Sequence, residues 1–236
     1  MSHLAATPND QVNFDDVADV YDSVFAPHVI EHYLNRRAAY LLRHAPGTKA
    51  LDVGAGTGLL AERLTDRGMP VVALDPFPQM LAQLRQRRPD FETVVASGDN
   101  IPFPDGSFDT TYCVAVMHHI AAPALVQQTL AEMVRVTRPG GHIVVWDHNP
   151  LNPYWPLLMK RVPQDNGAER LVPLAELVSG LTAAGARVKR AERLGLMPEF
   201  TPRRLLGLAA ALERAVEATP GLHAFCSHNV VVAHKA

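Results

Sequence analysis

Short apolar runs alternate with amphipathic segments along the middle of the chain. Apolar runs bounded by glycine, proline or aspartate are typical of buried strands, and apolar residues spaced three or four apart are typical of helices. The pattern predicts strands at Ala50–Val53, Val71–Leu74, Glu92–Ala96, Phe108–Val114 and His142–Trp146. It predicts helices between them at Leu59–Arg67, Gln79–Gln86 and Ala124–Thr137. This alternation predicts an α/β fold, with a parallel sheet covered by helices on both faces.

The two ends of the chain extend this pattern. Helical spacing from Phe14 to His44 predicts two helices divided by Pro27, and Arg138-Pro-Gly-Gly141 is expected to stop the last central helix. The proline-rich segment Asn149–Pro163 is followed by a helix at Leu174–Ala184, a strand at Arg187–Leu194, a helix at Pro202–Ala218 and a strand at Asn229–Ala233. Residues 1–12 are polar and unpatterned, which predicts a loose tail. With no repeat and no linker, residues 1–236 are expected to form a single domain.

The stretch Leu51-Asp-Val-Gly-Ala-Gly-Thr-Gly58 predicts a strand end, a tight turn and the start of a helix. Gly54, Gly56 and Gly58 permit positive φ angles and let a ligand lie against bare backbone. A dinucleotide-binding fold prefers G-x-G-x-x-G, whereas here the third glycine comes one place early. Asp52 also precedes the turn, where a carboxylate would repel phosphate but suit a cationic or amine-bearing ligand. The pattern therefore favours S-adenosylmethionine over a nicotinamide cofactor.

Several stretches together resemble class I S-adenosylmethionine-dependent methyltransferases. The glycine stretch resembles their first motif, and Phe14-Asp-Asp-Val-Ala-Asp-Val-Tyr-Asp22 resembles the N-terminal helix that lies over the cofactor. Ile101-Pro-Phe-Pro-Asp-Gly-Ser-Phe-Asp109 resembles the lead-in to the fourth strand, and His118-His119 resembles a pair found in ubiquinone/menaquinone-type small-molecule methyltransferases. The resemblance implies a Rossmann-like, seven-stranded, mostly parallel sheet with an antiparallel last strand and an N-terminal helical lid over residues 14–44.

The resemblance also implies which residues hold the cofactor. In such sheets, ligands bind at the carboxyl ends of the strands. There Asp75 would bind the ribose, Pro76 would lie against the adenine, and Asp99 would bind the adenine; alone, Asp75 could instead cap a helix and Gly98-Asp-Asn100 could be a plain turn. Tyr21 would touch the methionine carboxylate or close the site, or else belong to a buried helix stripe. The expected cofactor-binding residues are Tyr21, Asp52, Gly54, Ala55, Gly56, Asp75, Pro76, Asp99, Asn100 and Cys113.

Three histidines follow strands whose carboxyl ends should face the reacting methyl group. His118 and His119 follow the fourth strand, and His148 follows the fifth. An imidazole can accept a proton from a hydroxyl near neutral pH, so each is a candidate catalytic base. The alternative is that they only bind loop backbone. Their spacing does not match a metal site, so no metal is expected.

Composition excludes several other classes. The chain has 236 residues, 47% of them hydrophobic, enough for one α/β domain with a proper core. A formal charge of −2 gives no overall attraction to nucleic acid. Cys113 and Cys226 form no CxxC pattern, and Cys113 is expected to be buried and reduced. The chain shows neither an apolar leader nor an 18-residue apolar run, so we expect a cytoplasmic protein with no stable membrane insertion.

The sequence identifies the methyl donor better than the acceptor. Methyl transfer is an in-line displacement that positioning alone can accelerate, and a base is needed only for a poor nucleophile. The expected function is methyl transfer from S-adenosyl-L-methionine to a hydroxyl or carbon of a metabolite, quinone-like or natural-product compound. An N-methyltransferase of a small amine, a non-methylating S-adenosylmethionine-binding protein and a nicotinamide-dependent oxidoreductase remain as alternatives. Segments 149–163 and 202–218 would contribute to the acceptor site; no nucleic-acid partner is expected, and a homodimer is left open.

Overall fold

The computed structural model describes residues 12–120, 122–162 and 165–236, which contain a single seven-stranded sheet. The predicted loose tail, apart from residue 12, lies outside this range. The strands are β1 (Ala50–Val53), β2 (Val71–Asp75), β3 (Thr93–Val95), β4 (Phe108–Val114), β5 (Thr137–His148), β6 (Ala186–Leu194) and β7 (His228–Lys235). Their order across the sheet is β3-β2-β1-β4-β5-β7-β6.

Strand direction confirms the predicted fold class. The strands from β3 to β5 pair in parallel, whereas β7 is antiparallel to both β5 and β6. The chain leaves β1 toward β2 on one side and returns to β4 on the other, so the strand order reverses between β1 and β4. Ligands of open α/β sheets bind in the crevice at such a reversal.

Helices cover both faces of the sheet. They are α1 (Ala18–Tyr21), α2 (Pro27–His44), α3 (Leu59–Asp66), α4 (Pro78–Arg87), α5 (Pro123–Val136), α6 (Trp155–Leu158), α7 (Leu174–Ala183) and α8 (Leu206–Ala218). Leu41, Leu64 and Leu84 bring α2, α3 and α4 onto one face, in a core shared with β1, β2 and β4. Leu130 and Leu181 bring α5 and α7 onto the other face. None of the helices in the described ranges is long and apolar enough to cross a membrane.

The start of β5 differs from the prediction. Helix α5 ends at Val136, just before the expected stop signal, but Arg138-Pro-Gly-Gly141 lies inside β5 and not in a loop. Thr137 pairs with Phe108, and the β4–β5 register shifts after Phe108. Gly141 allows β5 to pass this close to β4. A Cβ at this position would lie only 2.6 Å from the carbonyl oxygen of Asp109, which is too close for any other residue.

The first of the two N-terminal helices is shorter than the apolar spacing predicts, whereas the second extends from Pro27 to His44. Residues Phe14–Val17 form a 3₁₀ turn that leads into the four-residue helix α1. Pro27 is the first residue of α2, where its missing N–H costs no hydrogen bond. The proline therefore starts the second helix, as expected of a residue that separates two helices.

Candidate active site

A cavity of about 520 Å³ opens at the carboxyl ends of β1, β2 and β4, where the strand order reverses. It brings together eleven of the sequence-predicted site residues: Tyr21, Asp52, Gly54, Ala55, Gly56, Asp75, Pro76, Asp99, His118, His119 and His148. Two predicted residues are not part of its lining. Asn100 is exposed to solvent, and Cys113 is fully buried in the core.

The position of Cys113 follows from strand geometry. Neighbouring side chains of a strand point to opposite faces. Cys113 therefore points into the core beneath α5 and α7, whereas Val114 lines the cavity. The Cys113 thiol is therefore buried away from the cavity, and the assignment of Cys113 to cofactor binding stays a prediction.

The glycine turn and Asp75 form one hydrogen-bonded unit. The N–H groups of Gly54 and Ala55 donate to the carbonyl of Leu74, at 2.8 and 2.9 Å. Gly56 N–H donates to Asp75 Oδ2 (2.8 Å) and Phe77 N–H donates to Asp75 Oδ1 (2.9 Å). Each carboxylate oxygen still has accepting capacity for a ligand hydroxyl.

Asp75 is not the side-chain cap of the following helix. The cap bond of α4 comes from Asp15, whose Oδ1 accepts from Gln79 N–H at 2.7 Å. Burial raises the pKa of Asp75 to about 6. A carboxylate that is buried, fixed on both oxygens and next to a bare glycine turn suits a ligand with paired hydroxyls.

Gly54 is the position where the turn requires glycine most strongly. Its φ is +76°, a value that side chains rarely adopt, and a Cβ there would overlap Val116 Cγ2. The backbone of the turn therefore lies close to the loop after β4. A ligand held between the two meets peptide groups instead of side chains.

Asp52 lies deeper in the cavity, near the end of β1, and is 3% exposed. Burial raises its pKa to about 8, and the negative charge of Asp75 adds to this effect. A pKa of about 8 leaves the Asp52 carboxyl mostly protonated at neutral pH. A cationic ligand would favour the ionised form and draw the proton away.

The N-terminal segment covers the cavity through specific contacts. Asp19 Oδ1 accepts from Gln83 Nε2, and Asp22 Oδ1 accepts from Thr57 Oγ1, each at 2.7 Å. The ring of Phe14 lies 5.3 Å from that of Phe77 and 4.9 Å from that of His119, measured between centroids. Phe14 therefore connects the α4 end of the cavity with the histidine end.

Arg37 is a cation in the cavity lining that the sequence analysis did not single out. Its guanidinium lies 5.2 Å from the Tyr33 ring centroid, and its Nη2 donates to His228 Nε2 at 3.5 Å. Its Nε has no hydrogen-bond partner within the described residues. The neighbouring Arg36 instead points to α8, where it pairs with Glu217. Apolar spacing on α2 could not show which of two adjacent arginines faces the cavity.

His118 is held by a buried carboxylate. Its Nδ1 lies 2.7 Å from Oδ1 of Asp147, and the two side chains are 1% and 0% exposed. Asp147 also accepts from the backbone N–H groups of Met117, His118 and His148. Because a carboxylate only accepts, Nδ1 carries the hydrogen and Nε2 is left as a proton acceptor. Such a pair fixes the tautomer and the orientation of the imidazole.

The other histidines form a wall of rings around His118. Between ring centroids, His119 and His148 each lie 3.9 Å from His118. The Trp155 ring centroid lies 3.6 Å from that of His148. Burial, with the nearby His118, holds the pKa of His119 and of His148 well below the usual range. Both are therefore neutral at neutral pH. The wall presents flat, uncharged surfaces to a ligand.

Imidazole and carboxylate atoms in this region lie close enough for an ion. Two sets of three side chains each offer ligand atoms within 4.8 Å of one another. The first set is His118, His119 and Asp165, and the second is His118, Asp147 and His148. The oxygens of Asp147 already accept four N–H groups, which leaves the second set unsuited to a cation. The expectation that no metal is needed stays a prediction.

The two segments expected at the acceptor site behave differently. Trp155, Leu158 and Val162 of the proline-rich segment line the cavity. No residue of α8 does so within the described ranges, because its buried Glu213 packs against α2 and pairs with His32 at 2.8 Å. The expectation that residues 202–218 contribute to the acceptor site stays a prediction, with no contact to this cavity among the described residues.

Known proteins match both the sequence and the fold. A family model described as "Methyltransferase domain" matches residues 51–145. A demethylmenaquinone methyltransferase from Renibacterium salmoninarum is 38% identical over 160 residues, 64% of this chain and 65% of the relative. Another from Tropheryma whipplei is 31% identical over 180 residues, 72% of this chain and 70% of the relative. The chain thus spans slightly less than two thirds of the first relative's length.

A solved S-adenosylmethionine-dependent methyltransferase from Archaeoglobus fulgidus has the same fold. It superposes with a TM-score of 0.67 over 92% of this chain and 99% of its own, at 17% identity. At that identity the likeness concerns the fold alone.

Proposed function

The chain belongs to the class I S-adenosylmethionine-dependent methyltransferases of the menaquinone-like group, and we propose that it transfers the cofactor's methyl group to a small-molecule acceptor. The observation that carries this proposal is the single cavity that joins the glycine turn and Asp75 to the His118–Asp147 pair. One end is suited to a nucleoside and the other holds a candidate base.

The chemistry of the lining fits the cofactor piece by piece. We assign Asp75 to the ribose hydroxyls, because its oxygens are fixed and still able to accept. Asp99, held by the Ser97 hydroxyl, is assigned to the adenine amine, with Phe77 and Phe14 beside the ring. The bound cofactor supplies a methyl group on a sulfonium, which makes that carbon open to attack.

The methionine part of the cofactor carries both a carboxylate and an amine. The unpartnered Nε of Arg37 suits the carboxylate, and a second donor is the hydroxyl of Tyr21, which burial keeps neutral by raising its pKa to about 12. Asp52 suits the amine and the sulfonium charge, since opposite charges stabilise each other strongly in a buried site. Oppositely charged groups therefore lie where the amino-acid end of the cofactor requires them.

His118 is proposed to accept the proton of the acceptor. Its Nδ1–H is bound to Asp147, so Nε2 is the basic atom and the hydrogen bond fixes the orientation of the ring. As the proton arrives, the buried carboxylate stabilises the imidazolium. The surrounding aromatic and apolar side chains exclude water, which would otherwise compete for the base.

The ring wall favours a flat acceptor. His148 and Trp155 present faces against which a planar ring can lie, and two relatives are named for demethylmenaquinone. We therefore propose a hydroxyl or a carbon of a quinone-like compound as the methyl acceptor. A cytoplasmic location and a homodimer remain expectations.

The direct test is transfer of label from methyl-labelled S-adenosylmethionine to a panel of acceptors. Reduced quinones and phenols should gain one methyl group each, with stoichiometric release of S-adenosylhomocysteine. Transfer to small amines instead would contradict the proposed quinone-like acceptor and indicate an amine acceptor. Binding of the cofactor without transfer to any member of a broad panel would indicate a non-methylating protein.

Asp75→Ala should weaken cofactor binding by about 5- to 150-fold, equivalent to about 1–3 kcal/mol. The change removes two acceptors for the ribose hydroxyls and leaves the N–H groups of Gly56 and Phe77 unpaired. Calorimetric titration measures the affinity, and Asp90→Ala, an exposed aspartate, serves as the control. Equal affinities in the two variants would contradict the ribose assignment.

Cofactor binding at pH 7 should release a proton from Asp52. The carboxyl is mostly protonated in the free protein, because its pKa is raised to about 8, and the cationic ligand favours its ionised form. Affinity should accordingly increase as the pH rises from 6 to 8. Titration in two buffers of different ionisation enthalpy measures the release, which Asp52→Asn should abolish. The same heat in both buffers would argue against contact between Asp52 and the ligand's charge.

Residues 14–44 and 149–162 should gain protection from hydrogen–deuterium exchange when the cofactor binds. Both segments contribute to the cavity lining, through Phe14, Tyr21 and Trp155 among others. Helix α8 is the internal control, because none of its residues line the cavity. If neither segment gains more protection than α8, the lid assignment is wrong.

A further inference from the structure

Large hydrophobic side chains are exposed mainly in two parts of the chain. Phe200 is 74% exposed and Leu208 is 71% exposed, which is unusual for residues of this size. Together with their neighbours they form a set that we call the α8 face: Leu151, Leu157, Phe200, Leu205, Leu208, Leu212, Leu222 and Phe225. Leu208 and Leu212 follow helical spacing, so they lie along one side of α8, and Leu205 directly precedes the helix.

The two parts of the α8 face are joined by hydrogen bonds. Asn152 Nδ2 donates to the carbonyl of Phe225 at 2.7 Å, and Trp155 Nε1 donates to the carbonyl of Ser227 at 2.6 Å. The Tyr154 and Phe200 rings lie 6.3 Å apart. Residues 151–161 and 200–225 therefore lie next to each other in the fold.

The exposed charged residues of these two segments are all basic. They are Lys160, Arg161, Arg203, Arg204 and Arg214. The acidic residues of the same segments, Glu213 and Glu217, are turned inward and pair with Arg36. In a chain with a formal charge of −2, these two neighbouring segments thus combine exposed apolar side chains with exposed positive charge.

We propose that the α8 face docks on an anionic lipid surface. Leucine and phenylalanine side chains along a short helix can enter the boundary between headgroups and acyl chains, while arginine and lysine meet anionic headgroups. The contact is peripheral, in agreement with the absence of a spanning helix from the described ranges. Trp155 and Leu158 line the cavity from the same side, so docking brings the cavity next to the lipid. That docking would supply an apolar acceptor to the cavity rests on the proposed function.

A second copy of the chain fits this face less well. A two-fold contact puts the same patch of both copies together. Arg203 and Arg204 would then lie near their own counterparts, with no exposed carboxylate in the segments to neutralise them. An anionic bilayer supplies the opposite charge that a second copy lacks.

The test is flotation of the full chain with vesicles of phosphatidylcholine alone or mixed with phosphatidylglycerol. The protein should bind the anionic vesicles, and raising the salt concentration should weaken binding. The double variants Leu208→Ser/Leu212→Ser and Arg203→Glu/Arg204→Glu should each lower the partition coefficient by about tenfold or more. Val95→Ser, exposed on edge strand β3, and Lys189→Glu, exposed on β6, are the matched controls and should bind like the wild type.

Two readouts separate the possible failures. Cofactor affinity, measured by calorimetry on every variant, should not change, since no substituted residue lines the cavity. No binding to anionic vesicles, or equal binding by all variants, overturns the docking while leaving the proposed function untouched. Sedimentation that shows a dimer lost in Leu208→Ser/Leu212→Ser, without vesicle binding, overturns it in favour of self-association.

Discussion

Replacing His118 by alanine is expected to lower the rate of methyl transfer by about 10²–10⁴-fold, the range typical of removing a general base. Its Nδ1 is fixed on Asp147, so the alanine variant loses the oriented Nε2 that accepts the acceptor's proton. Cofactor affinity should hardly change, because the lost interaction belongs to the transition state. Single-turnover rates and calorimetry on the same preparation measure the two effects separately.

The matched control is His142→Ala, since His142 lies far from the cavity, at the amino-terminal part of the β4–β5 pairing. His119→Ala and His148→Ala complete the series and show whether one imidazole or several act as base. Near-normal single-turnover rates in all three cavity variants would mean that there is no histidine base. The acceptor would then be nucleophilic enough to react through positioning alone.

Asp147→Asn is expected to slow transfer by a similar factor, about 10²–10⁴-fold, with cofactor affinity preserved. The amide keeps the shape of the carboxylate but can donate to Nδ1 of His118, which moves the hydrogen to Nε2 and removes the base. It also no longer neutralises the imidazolium. The double variant His118→Ala/Asp147→Asn should be no slower than the slower single variant, because the two groups act as a unit.

A purely structural role for Asp147 predicts a different result. Its four accepted hydrogen bonds make Asp147 important for folding. If Asp147→Asn acted only through lost stability, its effect on the rate and that of His118→Ala would add in the double variant. Asp109→Asn is the control, because the Asp109 carboxylate also accepts several hydrogen bonds, from Thr48, Lys49 and Arg138, but does not line the cavity. Additive effects in the double variant would contradict the pairing.

Most of the sheet could be predicted because local signals and burial agree there. The strands at Ala50–Val53 and Phe108–Val114 have the predicted bounds, since each is an apolar run closed by a turn. The glycine turn and Asp75 were predictable as parts of a cavity, because parallel strands bring their carboxyl ends to one edge of the sheet. The start of β5 could not be predicted, because pairing with β4 determines where the strand begins. The residues there, Arg138-Pro-Gly-Gly141, are instead typical of a helix end.

The parts of the site that the sequence missed depend on contacts between distant segments. Asp147 belongs to β5, whereas the His118 that it contacts follows β4. Arg37 reaches the cavity from α2, whose apolar spacing does not indicate which polar side chain faces the cavity. Asn100 and Cys113 were expected in the lining because they stand beside residues that are there. Helix α8 shows the same limit, since residues 202–218 were expected to contribute to the acceptor site, whereas Leu208 and Leu212 are exposed on the surface.

The most direct test of the central claim is calorimetric titration of the metal-free protein with S-adenosylmethionine and, separately, with NADH. The glycine turn, Asp75 and Asp52 predict saturable binding of one S-adenosylmethionine per chain. They predict no binding of NADH, because its pyrophosphate would bring further negative charge next to the Asp75 carboxylate. S-adenosylhomocysteine should also bind, because it retains the adenosine and amino-acid parts. Heat from NADH and none from S-adenosylmethionine would contradict the account.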